Sequence, residues 1–280
     1  MERYQHEAMT FDVRDRGPAD GEVVVLLHGF PQTSASWDDV AALLANAGYR
    51  TLTPDQRGYS PGARPRGRRA YRGAELAGDV IGLLDAGDVE RAHVVGHDWG
   101  GAVAWYVAMS YPDRVRTLTS LSTPHPAAFA RSLFTTSQLL HSWYMFVFQL
   151  PWLPEAAARP ARNPQRFADA LADQGVPADK ARAYAELLAQ PGAFTAAVNW
   201  YRGAALQRAG ALRGRVTAPT LHIHGARDRY VTRKAAELTA RRVDGSYRLE
   251  VLEDADHWLP DNNAERVVEL LLPHLRGGER

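Results

Sequence analysis

The stretch Val94-Val95-Gly96-His97-Asp98-Trp99-Gly100-Gly101 decides how this 280-residue chain is read. An apolar strand is expected just before it, over 92–95, and a helix just after it, over 102–109. A Gly-x-Asp-x-Gly turn therefore joins a strand to a helix. The residue at the centre of so sharp a turn is lifted above the sheet on strained backbone. Gly96 and Gly100 suit a place where the two backbones approach too closely for a side chain. The turn also aims backbone N–H groups at the space beside its central residue. Serine is the usual occupant, and here it is Asp98. A serine that displaced a group from saturated carbon would end as an ether, which water does not readily cleave. A carboxylate ends as an ester, which water can cleave at the enzyme's own carbonyl carbon. Asp98 is accordingly read as a nucleophile toward an epoxide or alkyl halide, and not as a mere cap of the following helix.

Strands and helices alternate around this turn. Strands are expected over 22–27, 49–53 and 115–121, with helices over 37–46 and 71–84. In the first helix Trp37, Val40, Leu43 and Leu44 share one face. Such alternation indicates a parallel sheet covered on both sides. The rhythm changes at Pro124, where alanine, aromatics and proline dominate and three or four helices are expected. It returns with strands over 220–223 and 247–252 and helices over 232–241 and 263–272. The expected organisation is an α/β core of residues 1–123 and 213–280, interrupted by a helical lid at 124–212.

Two further residues fall on the same sheet edge. Asp228 follows the strand at 220–223, and His257 follows the last strand, so both stand at carboxyl ends, as Asp98 does. The order nucleophile, acid, histidine is that of a hydrolytic triad. Asp228 would hold the imidazole in one tautomer, and His257 would deprotonate water. Asp254 and Asp256 are rival partners but lie too near His257 in sequence to face it easily. His28-Gly29-Phe30-Pro31 follows the first parallel strand. The backbone N–H groups of Phe30 and Trp99 are the expected oxyanion donors, with their side chains free to form pocket wall.

Composition narrows the field. There is no cysteine, so disulfides, thiolate metal sites and a cysteine nucleophile are excluded. The net charge of +1 gives no reason to expect nucleic acid as a partner. No signal peptide and no run of 18 apolar residues is evident, so no membrane partner is expected and a cytoplasmic location is. His222 and His224 could share a strand face, but with no third ligand they read as buried histidines, and no metal or other cofactor is expected. Arg64, Arg66, Arg68 and Arg69 read as a solvated loop.

Taken together, the motifs resemble those of the epoxide hydrolases of the α/β-hydrolase superfamily, with haloalkane and haloacetate dehalogenases as relatives. The matching runs are His28-Gly29-Phe30-Pro31, Asp55-Gln56-Arg57-Gly58-Tyr59, Gly96-His97-Asp98-Trp99-Gly100-Gly101, Gly225-Ala226-Arg227-Asp228 and Asp256-His257. The resemblance spans nearly the whole chain and implies the α/β-hydrolase fold. It also implies two lid tyrosines that bind the epoxide oxygen, matched here by Tyr144 and Tyr201. An epoxide leaves as an alkoxide, a far worse leaving group than halide, and needs such donors. The lid with Phe30, Trp99, Phe146 and Trp258 implies a largely apolar small-molecule substrate. Dehalogenation by the same triad and a non-catalytic binding role remain as alternatives. For halide, Trp99 could give one N–H, with Trp143 or Trp200 as the second, since Phe30 stands where an asparagine is common. A haloacetate enzyme would carry an arginine beside the nucleophile, where this chain has Trp99. No role is assigned to the proline-bearing loop at 60–65, and a homo-oligomer is left open.

Overall fold

The computed structural model describes residues 1–158, 160–207, 210 and 213–277. An eight-stranded sheet runs through it in the order β1-β2-β4-β3-β5-β6-β7-β8. The strands are β1 (Arg3–His6), β2 (Met9–Arg16), β3 (Val23–Leu27), β4 (Arg50–Pro54), β5 (Ala92–His97), β6 (Val115–Leu121), β7 (Thr220–Gly225) and β8 (Tyr247–Leu252). From β4 to β8 every neighbouring pair is parallel, while β2 pairs antiparallel with both β1 and β4.

Helices cover both faces. On one side lie α1 (Asp38–Asn46) and, at the end of the chain, α13 (Ala264–Gly277); on the other lie α2 (Gly73–Ala86) and α3 (Trp99–Ser110). Strand β3 shows why its sequence is uniformly apolar. Val23, Val25 and Leu27 pack toward α2 and α3, and Val24 and Leu26 toward α1 and α13. Successive side chains of a strand point to opposite faces, so a sheet buried twice needs apolar residues at every position. Each such Val or Leu is stabilised by roughly 1.5–3 kcal/mol on burial.

Seven helices separate β6 from β7 among the described residues: α4 (Pro126–Thr135), α5 (Gln138–His141), α6 (Trp143–Val147), α7 (Leu153–Ala158), α8 (Pro164–Ala172), α9 (Ala178–Ala189) and α10 (Ala193–Ala204). The expectation of three or four was too few. Pro151, Pro154 and Pro164 divide the chain here, because proline lacks the N–H that would continue a helix. The boundary expected at Leu212 lies outside the described residues. The short helices α11 (Arg233–Thr239) and α12 (Leu259–Asn262) complete the set.

The antiparallel β1–β2 hairpin was not anticipated. Tyr4, Phe11 and Val13 are its buried side chains, and the intervening polar residues conceal so short an alternation. The loop at 60–65 gains a structural role from it. Asp12 N–H donates to Ser60 Oγ at 2.9 Å, and Ser60 Oγ–H donates to the Asp55 carbonyl at 2.6 Å. Arg64 also departs from the solvated reading, since its guanidinium donates to the Gly58 and Tyr59 carbonyls and to Gln190 Oε1. Among the described residues, no helix is long and apolar enough to cross a membrane.

Candidate active site

The turn between β5 and α3 has the geometry its glycines suggest. A Cβ on Gly96 would lie 2.2 Å from the Gly100 carbonyl oxygen, and one on Gly100 would lie 2.1 Å from that of Leu27. Asp98 sits between them at φ 50°, ψ −124°. Positive φ in a residue with a side chain costs about 1–3 kcal/mol and persists only where the surroundings impose it. The Asp98 carbonyl is held by Ala102 N–H at 3.1 Å and Thr123 Oγ–H at 2.7 Å. Its carboxylate does not cap α3. Instead it is turned outward, where Phe30 N–H donates to Oδ1 at 2.8 Å. The Phe30–Pro31 peptide is cis.

Asp228 and His257 meet at this carboxylate. His257 Nδ1 lies 2.8 Å from Asp228 Oδ2, and His257 Nε2 lies 3.6 Å from Asp98 Oδ2. Asp228 is fixed in turn, since Tyr230 and Val231 N–H donate to its Oδ1 at 2.8 and 2.9 Å. Asp256, the rival partner, accepts from Trp258 N–H and so caps its own loop.

The electrostatics are those of a cation between two anions. Burial alone would lower the His257 pKa, but the Asp228 and Asp98 carboxylates raise it to about 10. Burial opposes ionisation of Asp98 and Asp228, yet the hydrogen bond and charge of His257 hold both below the usual carboxylate value. At neutral pH the resting trio is carboxylate, imidazolium, carboxylate. Asp98 remains reachable, with 17% of its side chain accessible.

Two cavities meet above it. One of about 430 Å³ is lined by Phe30, Asp98, Tyr144, Tyr201, His257 and Trp258, among others. A second, of about 200 Å³, shares Asp98, Tyr144 and Tyr201 but is otherwise almost wholly apolar, with Trp99 and Phe129 in its wall. Tyr201 comes from α10 and Tyr144 from α6, their rings 6.1 Å apart. Burial, with the nearby carboxylate of Asp98 adding to it, keeps both phenols protonated far above the ordinary tyrosine range. Their elements are tied together by Arg202, which donates to the Phe148 and Leu150 carbonyls and pairs with Glu155 at 2.7 Å.

Phe146 departs from expectation. Its side chain is 58% exposed and lines neither cavity. Tyr144 and Phe148 are four residues apart and share the inner face, whereas Phe146, two residues on, points the other way. Phe148 takes the place expected of it.

A sequence profile described as alpha/beta hydrolase fold matches residues 22–264. The chain belongs to this family. It is 37% identical over 276 residues to the AB hydrolase superfamily protein YfhM of Bacillus subtilis, covering 96% of this chain and 95% of that one. It is 32% identical to epoxide hydrolase A of Mycobacterium tuberculosis, covering 95% and 94%. Among solved structures, epoxide hydrolase A of Mycobacterium thermoresistibile superposes with a TM-score of 0.82 at 29% identity, covering 98% of each chain. Within the α/β hydrolases the chain is thus epoxide hydrolase-like.

Five residues of this α/β hydrolase site were not anticipated. His97 Nε2 lies 2.8 Å from the His257 carbonyl, and its Nδ1 lies 2.8 Å from Gln32 Oε1. Gln32 Nε2–H donates to Asp261 Oδ2 at 2.6 Å, and Tyr184 O–H of α9 donates to Asp261 Oδ1 at 2.8 Å. A buried polar chain thus runs from α9 to the backbone of His257. The fifth, Tyr230, stacks edge-on against the His257 ring at 4.9 Å and lines both cavities. The one available signal was polarity at Gln32 and His97, in runs otherwise built of glycine and apolar residues. His222 and His224 are both buried, and among the described residues no cluster of three or more His, Asp or Glu could hold a metal.

Proposed function

We propose that this α/β hydrolase opens epoxides to vicinal diols through an ester on Asp98, with residues 124–212 acting as the lid. The observation that carries the reading is the convergence on one cavity of an ionised Asp98, a His257–Asp228 pair and two protonated phenols.

The two carboxylate oxygens of Asp98 are differentiated. Oδ1 is engaged by Phe30 N–H, so Oδ2 attacks the epoxide carbon. The carbon–oxygen bond of the ring breaks as the ester bond forms. Tyr144 and Tyr201 hydrogen-bond the departing oxygen, and one donates its proton. Burial makes the resulting phenolate unfavourable, so it recovers a proton. Esterification removes the negative charge that helped to keep His257 protonated. Its pKa falls, and the proton it releases restores the phenol. The neutral imidazole is then available as a base, which it is not in the resting trio.

Water next attacks the ester carbonyl carbon and gives one proton to His257. The oxyanion at Oδ1 is met by Phe30 N–H and by Trp99 N–H at the start of α3. Collapse expels the diol oxygen, the former Oδ2, which takes the other proton of water. Asp98 is left as carboxylate and His257 as imidazolium. Water and epoxide are consumed, one diol is released, and no cofactor takes part. The apolar walls of both cavities favour an apolar substrate.

Dehalogenation is less well supported. The Trp200 indole N–H, one candidate halide donor, is already committed to the Arg57 carbonyl at 2.8 Å. The Trp99 indole is engaged with the Tyr201 hydroxyl. A panel of aryl and alkyl epoxides beside haloalkanes, assayed for diol and for halide, tests the proposal. Diol release without halide release is expected, and the reverse would overturn it.

A further inference from the structure

Of the nine large hydrophobic side chains left exposed among the described residues, eight lie within residues 134–153. Phe134, Leu140, Trp152, Trp143 and Phe146 are exposed by 86, 75, 73, 65 and 58%. A scattered exposed leucine is ordinary, but such a concentration of aromatics marks a docking face.

The charge of the same stretch is one-sided. Residues 124–154 contain no Asp or Glu, but include an exposed Arg131. Arg162 and Arg166 are exposed on the approach to α8 and on α8, and Arg229 stands at the cavity rim. Carboxylates return at Glu155, which Arg202 neutralises, at Asp169 on α8 and at Asp173 just after it. The face is also the mouth of the site, because Leu140, His141 and Trp143 line the larger cavity above Asp98.

We propose that this face adsorbs to an anionic lipid surface, with the cavity mouth opening against the acyl layer. Tryptophan and phenylalanine beside arginine suit the boundary between headgroups and acyl chains. A second copy fits the same surface less well. A twofold contact would set one positively charged patch against another and would shut the mouth. A fluid layer does neither, and apolar epoxides concentrate in it. The use made of docking rests on the epoxide reading, while the docking itself stands on the surface alone. The expectation of no membrane partner rested on the lack of a span. Among the described residues no helix is long and apolar enough to cross a membrane, and adsorption needs none.

The test is sedimentation of the full chain with vesicles of phosphatidylcholine alone or mixed with phosphatidylglycerol, without substrate. Binding to the mixed vesicles, weakened by salt, is expected. The triple variant Phe134→Ser, Leu150→Ser, Trp152→Ser should bind about tenfold or more weakly yet hydrolyse a water-soluble epoxide at the unaltered rate. No binding by the native chain, or binding indifferent to the triple variant, would overturn the proposal. So would a concentration-dependent dimer in sedimentation velocity that the variant abolishes, since the occupant would then be a second copy. Because vesicle binding is read without turnover, failure of the epoxide reading leaves this result independent.

Discussion

His257 Nε2 stands 3.6 Å from Oδ2 of Asp98, the carboxylate oxygen that Phe30 N–H leaves unbound. In the proposed mechanism one imidazole therefore faces the attacking oxygen at rest and would face the incoming water once that oxygen is esterified. The two carboxylates around it raise its proton affinity, and under that proposal one of them loses its charge during the cycle.

That coupling predicts that the two half-reactions respond differently to pH. Ester formation needs ionised Asp98, whose pKa is depressed, so it should persist into mildly acidic solution. Ester hydrolysis needs neutral His257 and should slow as pH falls. The fraction of enzyme carrying substrate mass, read by rapid quench and intact-protein mass spectrometry, should rise between about pH 8 and about pH 5. In His257→Gln the ester should persist at every pH. An ester fraction that grows with pH would argue against the assignment.

Stability should follow the same proton. The folded-state pKa of His257 is raised from the ordinary 6.5 to about 10, so its contribution is complete below pH 6.5 and is lost as pH rises toward 10. Thermal midpoints of the native protein should decline over that window more steeply than those of His257→Gln. Parallel curves would mean that the imidazolium is not held by its neighbours.

Much of this site was legible because its pieces are local. Gly96, Asp98 and Gly100 form a turn within five residues, and the strands preceding Asp228 and His257 are marked by a largely apolar run at 220–223 and an alternating one at 247–252. The chain from Tyr184 through Asp261 and Gln32 to His97 was not legible. Gln32 and Asp261 are 229 residues apart and Tyr184 lies on α9, so only the folded chain brings the three together. Phe146 was misassigned because composition marks an aromatic stretch without saying which turn of a short helix faces inward. The β1–β2 hairpin failed for a related reason, since a four-residue strand carries too few alternations to stand out.

The two phenols should be separable from the triad. Tyr201→Phe and Tyr144→Phe should each slow epoxide opening, and losing both should cost about 10²–10⁴-fold, the usual worth of a general acid. Single-turnover ester formation measures this. Displacement from a good leaving group, such as an activated alkyl halide, should suffer far less. Equal losses on both substrates would assign the tyrosines to packing.

Arg57 offers a test of the scaffold. Its guanidinium grips Asp79 with two bonds of 2.7 and 2.6 Å in the interior, and a third bond holds the Ala70 carbonyl. Removing one member of a buried pair strands the other, so Arg57→Ala should lose about 3–5 kcal/mol in chemical denaturation. A loss typical of an exposed ion pair would show that water reaches Asp79.

The central claim is that carbon bonds to the Asp98 carboxylate and water then attacks the carboxyl carbon. A single turnover with enzyme in excess, in water enriched with oxygen-18, tests it most directly. The expected result is isotope in the Asp98 side chain, found by peptide mass spectrometry, with an unlabelled diol. Labelled diol from the first turnover and an unlabelled Asp98 would mean that water opens the ring itself, contradicting the covalent mechanism.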